Sequence, residues 1–128
     1  MNPPFDPGAL LARSYDLPRG PRVILRLARV RDLPRIGELL MRQGIDPDEL
    51  ELARLVRFDP RRRLVICSTA LVGSVDAVVG VGAIDLGDRD APVPSLVVVD
   101  HGATEGLAEL ISEALIGRAR TAAGARAA

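Results

Sequence analysis

The residues with the clearest chemical potential in this chain of 128 lie between Pro94 and Ala123. They read as an apolar strand, a glycine-bearing turn and a long amphipathic helix. Leu96–Val99 is an apolar, mostly β-branched run, which predicts a short strand buried on both faces. From Leu107 the apolar residues fall at helical spacing, with Leu107, Leu110, Ile111, Ala114, Leu115, Ala119 and Ala122 on one stripe. Gly106 stands where the first turn begins. A strand that feeds a helix N-terminus through glycine can present backbone N–H groups to an anion.

Three other groups invite chemistry. Asp100-His101 suggests a histidine base oriented by a carboxylate, but adjacent residues on an extended segment point to opposite faces. Arg61, Arg62 and Arg63 could hold a phosphate or form a solvated flank. Cys67 is the only cysteine and lies in the apolar run Leu64–Leu71, which predicts a small buried core residue. With one cysteine and one histidine, the chain has no intrachain disulfide and no multi-histidine or Cys/His zinc site. All 17 basic residues are arginine, which rules out a lysine Schiff base or a lysine-bearing phosphate loop.

The length suits one domain with a single core. The 17 acidic residues cancel the 17 basic ones, and aromatics are 2% of the chain, so nucleic acid is not expected as a partner. No apolar run approaches the roughly 20 residues of a membrane span, and the first residues have no secretory pattern. A cytoplasmic protein that does not engage membrane is expected.

The elements that must position these residues follow in order. Residues 1–21 hold five of the ten prolines and read as a loose N-terminal arm, with a short helical possibility at Leu10–Arg13 and with Tyr15 or Leu17 as packing contacts. Val23–Ala28 suits a first strand. Asp32 is the expected N-cap of a helix whose stripe is Leu33, Ile36, Leu39 and Leu40, ended by Gly44. Asp46, Pro47 and Glu49 predict a second helix start, with Leu52, Leu55 and Val56 buried. Leu64–Leu71 and Val75–Leu86 form a hairpin through Val72-Gly73-Ser74, and Gly80 and Gly82 signal a bulge or a close backbone approach. A polar turn, G-D-R-D-A-P, leads to the strand at Leu96. The fold class is therefore α/β (α+β) of order β-α-α-β-β-β-α: a mixed, mainly antiparallel sheet flanked by helices over residues 22–123, with a tail at 124–128.

Two stretches resemble the GNAT (acyl-CoA N-acyltransferase) superfamily. In Leu25–Leu40, residues Arg26, Ala28, Asp32, Ile36 and Leu39 are similar to the family's opening strand–helix pattern. In the second stretch, Leu96 and Val98 match the family's strand and Gly106 and Ala108 match its Gly-x-Gly/Ala turn, with Glu113-Ala114-Leu115 alike in the helix. The resemblance covers the N-terminal part of that fold, which continues with further strands that complete the cofactor cleft. It implies an acetyl-CoA-dependent N-acetyltransferase whose cofactor is held around Leu96, Val98, Gly106 and Ala108. Strand amides would polarise the thioester carbonyl, and the helix start would take the pyrophosphate. No catalytic residue is assigned, and no metal is implied.

The chain departs from the pattern at Ala103, where the family has Arg or Gln, and at Asp100, where it has proline. Glu105 and Glu109 flank Gly106 where small or basic residues are usual. A carboxylate about 6 Å from a phosphate charge is repelled by roughly 3 kcal/mol at an effective dielectric of about 20. A second reading therefore stays open: a non-catalytic GNAT-derived binding or assembly module that no longer binds acyl-CoA. In either case Leu96–Val99 would be an exposed apolar edge, and a homodimer, a partner chain or the N-terminal arm is expected to cover it.

Overall fold

The computed structural model describes residues 13–18, 22–72, 75–87, 92–100 and 105–127. Within them the chain is an α+β fold. A five-stranded sheet runs in the order β1 (Arg13–Asp16), β2 (Arg22–Leu27), β3 (Arg63–Val72), β4 (Val75–Asp85) and β5 (Leu96–Val99), and every neighbouring pair is antiparallel. Two helices, α1 (Leu33–Arg42) and α2 (Glu49–Val56), connect β2 to β3, and α3 (Leu107–Ala127) follows β5.

The helices divide the core into two layers. On one face Leu107, Ile111, Leu115 and Ala119 of α3 pack on Val23, Leu25, Leu64, Ile66 and Ile84. On the other, Ile36, Leu39 and Leu40 of α1 and Leu55 and Val56 of α2 pack on Val65, Cys67, Val81 and Ala83. Full burial of each large aliphatic side chain contributes about 2 kcal/mol, so the α3 stripe is a principal source of stability. Arg118 joins that stripe at 8% exposure, a position that apolar spacing alone does not reveal.

Gly80 and Gly82 answer to both halves of their expectation. The β3–β4 register slips between Ser68 and Thr69, leaving Val79 as an extra residue opposite them. A Cβ on Gly82 would stand 2.5 Å from Ile111 Cγ2, and one on Gly80 would stand 2.9 Å from Ile111 Cδ1. The bare backbone there is the seat of α3.

Several local expectations are corrected. Part of the arm is a strand: residues 13–16 pair with β2 from Arg13↔Leu25 to Asp16↔Arg22, and the following Leu17 is buried with Leu107. Asp32 holds the N-cap position of α1, as expected, but makes no side-chain cap there: it is the last residue of a 3-10 turn over Val30–Asp32, and its carboxylate is used elsewhere. The second helix is capped by Asp48, not Asp46. Asp48 Oδ1 accepts from Glu51 N at 2.7 Å, and Asp48 N donates to Glu51 Oε2 at 3.4 Å. Both aspartates have a glutamate three places on, Glu49 and Glu51, and the capping box that forms is Asp48 with Glu51. Gly44 ends α1 as expected, at φ +77°, with Ile45 N donating to Leu40 O and Gly44 N to Met41 O. The final helix continues to Ala127, past the expected boundary at 123. Residues 10–12, Gly73-Ser74, the centre of the G-D-R-D-A-P turn, His101 and Ala103 lie outside the described residues.

Candidate functional site

The strand at Leu96–Val99 is the outer strand of the described sheet, and its burial reflects that place. Val98 is buried beneath α1, while Leu96, Val97 and Val99 are half-buried. The expectation of burial on both faces holds only in part. Helices cover each face, but no described strand lies beyond β5 to close its outer side.

The register decides which backbone groups are open. β5 pairs with β4 through Gly80↔Val99, Val81↔Val98, Gly82↔Val97 and Ala83↔Leu96. Asp100 N donates to Val79 O at 2.9 Å, continuing the same ladder. Backbone groups of an antiparallel strand alternate between its two sides, so those of Leu96, Val98 and Asp100 face β4. The N–H and C=O groups of Val97 and Val99 face outward. Of the four residues matched to the family's cofactor site, Leu96 and Val98 therefore supply side chains to the core, and their neighbours supply the outward amides. Sequence matching missed Val97 and Val99 because only the ladder reveals which amides it leaves over.

Both ends of this strand are held. Ser95 N donates to Ala83 O at 2.9 Å, and Ser95 Oγ donates to the same oxygen at 3.3 Å. At the other end Arg42, in the last turn of α1, donates to Val78 O at 3.2 Å and lies 3.7 Å from the Asp100 carboxylate. Asp100 thus faces an arginine in the structure, at the place where the family pattern has a proline.

Gly106 takes φ +87° immediately before α3, a backbone conformation that side chains with a Cβ rarely adopt. Leu110 N bonds to its carbonyl at 3.1 Å and opens the helix. Pro18, from the segment after β1, would lie 3.6 Å from a Cβ placed on Gly106, so the arm reaches the helix start. Ala108 is half-buried, and Glu105 and Glu109 are exposed. At exposed positions salt screens their charge.

The remaining candidates resolve into structure. Arg61 pairs with Asp59 at 3.2 Å and, like Arg62, is exposed as a solvated flank would be, whereas Arg63 is half-buried. Cys67 is fully buried, and burial pushes its thiol up to about 12, leaving it neutral and without nucleophilic character at pH 7. Asp32 is 2% exposed and takes two hydrogen bonds of 2.7 Å from the Arg26 guanidinium and one of 2.7 Å from Arg29 N. Burial alone would raise its carboxyl pKa, but the Arg26 fork and the Arg29 amide outweigh that and hold it below the usual carboxylate value. Two residues of the family-like opening pattern therefore clamp β2 to the start of α1. Tyr15 lies on β1 at the opposite edge, about 19 Å away across four strand spacings. Among the described residues no group of three or more His, Cys, Asp or Glu side chains could hold a metal, and no helix is long and apolar enough to cross a membrane. The chain matches no family model, no curated protein and no solved structure.

Proposed function

We propose that this chain carries the cofactor-binding half of a GNAT-type N-acyltransferase, with acetyl-CoA along the open edge of β5. The observation that carries the reading is the pair of outward amides at Val97 and Val99, on the strand that precedes the helix start at Gly106 in the chain. Support also comes from the strand order, with two helices between β2 and β3 and an antiparallel meander leading into α3.

Acetyl-CoA would supply an activated acyl group as its thioester. The Val97 and Val99 backbone would hold the amide-bearing pantetheine arm as an added strand would be held. An outward N–H aimed at the thioester oxygen would stabilise the negative charge that develops as an amine attacks, a contribution typically worth about 3 kcal/mol per donor. The low polarity of Leu96–Val99 and the half-burial of the strand strengthen that interaction. The helix start fits an anion less well, because Glu105 and Glu109 stand beside it.

That misfit favours a second reading, in which the module no longer binds acyl-CoA and the β5 edge pairs with a second copy or a partner chain. Calorimetric titration with acetyl-CoA separates the two. Saturable heat is expected from the enzyme reading, and none at millimolar cofactor sinks it. Glu105→Arg should tighten binding about tenfold if the helix start faces the pyrophosphate. Concentration-dependent dimerisation in light scattering, abolished by a lysine at Val97, would instead support the assembly reading.

A further inference from the structure

We propose that the cleft between α1, α2 and the start of β5 binds a small molecule that carries one carboxylate on a short apolar body. The cleft holds about 260 Å³. That is just below the range of roughly 300–1,000 Å³ usual for small-ligand sites. Leu40, Ile45, Leu55 and Leu96 supply an apolar wall, and Arg54 and Arg63 supply the charge.

The arginines are the informative part. Arg63 Nε is buried without a hydrogen-bond partner, and its ion pair with Asp85 is long, 3.9 Å, with the Asp85 side chain 64% exposed. Arg54 makes no ion pair or hydrogen bond with any described residue. Two guanidinium groups at an apolar wall, Arg54 open to solvent and Arg63 with no hydrogen-bonded carboxylate, are complementary to a carboxylate, which a guanidinium fork can bind through two parallel bonds. Glu51, the one acid lining the cleft, is engaged by the Asp48 amide in the α2 cap and forms no ion pair with either arginine. The site therefore favours a single negative charge. It disfavours a larger polyanion, which the narrow apolar wall would leave half-solvated.

Leu96 lines this cleft and is followed by Val97, whose amide opens onto the β5 edge. On the acyl-transfer reading above, an apolar α-amino acid seated by its carboxylate would therefore present its amine beside the thioester. Binding of the carboxylate does not depend on that reading.

The test uses the full chain without acetyl-CoA, titrated by two-dimensional NMR with 4-methylpentanoate and with its neutral amide. The carboxylate should bind at least tenfold more tightly than the amide, with the largest shifts at Leu55, Ser95 and Leu96. Arg63→Gln should erase that preference, and Arg54→Gln should reduce it about threefold. Equal binding of the two probes by the wild-type chain, no saturation at tens of millimolar, or shifts centred elsewhere would each overturn the proposal; the wild-type comparison needs no variant to fold. Leucine acetylation with acetyl-CoA is a separate arm. Its absence with carboxylate binding intact would count against the acyl-transfer reading and leave the site standing.

Discussion

The two edges of the sheet are built on opposite principles. The β1 edge is a four-residue strand, R-S-Y-D, with Asp16 paired to Arg22 at 2.9 Å in solvent. It is short and charged, the usual protection against further pairing. Beside it, β2 is locked to α1 by the buried Arg26–Asp32 pair. The β5 edge is also four residues long but wholly apolar, and it is held by Ser95, by Arg42 and by packing on both faces. One edge is closed by charge. The other keeps two backbone amides outward without charged protection, which is what a site or an interface needs and what a bare surface would avoid.

The largest expected effect comes from breaking the locked side. Asp32→Asn leaves Arg26 half-buried without its counter-charge and should cost about 3 kcal/mol in urea unfolding. The same pair gives a pH dependence. Because the folded Asp32 pKa lies below the ordinary 3.8, its stabilisation is fully present above that value and is lost as pH falls through the folded one. The acid limb of a stability profile should therefore flatten in Asp32→Asn.

Next in size is loosening the β5 side. Gly82→Ala forces a Cβ against Ile111 and Leu115 and should cost about 2 kcal/mol, lifting α3 from its seat. A proline pair then sharpens the assigned register. Val98→Pro removes a donor facing β4 and should cost about 2 kcal/mol. Val97→Pro removes an outward donor and should cost less than about 1 kcal/mol, yet weaken acetyl-CoA binding at least tenfold. Equal destabilisation by the two would show that the alternation is assigned wrongly. The smallest effect belongs to the charged edge: Asp16→Asn should leave the melting temperature unchanged, since exposed pairs contribute little.

The pattern of what was legible in the sequence follows from where each signal resides. Helix α1 and its glycine stop, the β3–β4 hairpin and the α3 stripe are local patterns, and they emerge where expected. Strand β1 carries no alternation and lies among prolines; it exists because β2 offers it a ladder. The start at Asp48 instead of Asp46 was not legible, because each aspartate has a glutamate three residues on and the local pattern fits both. The half-exposure of β5 and the outward turn of Val97 and Val99 are properties of pairing, which no single strand's residues encode. The ion pair of Asp32 with Arg26 was hidden for the same reason, since six residues of sequence separate partners that a turn brings together.

Cys67 supplies a built-in clock for these comparisons. It is the only thiol, it sits mid-strand between the two edges, and its burial and raised pKa make it silent while the sheet is intact. Its alkylation rate in the native protein therefore measures how often the layer under α1 and α2 opens, through the population of the open state when closing outruns labelling. A ligand seated in the α1–α2 cleft would slow that clock without touching the sulfur.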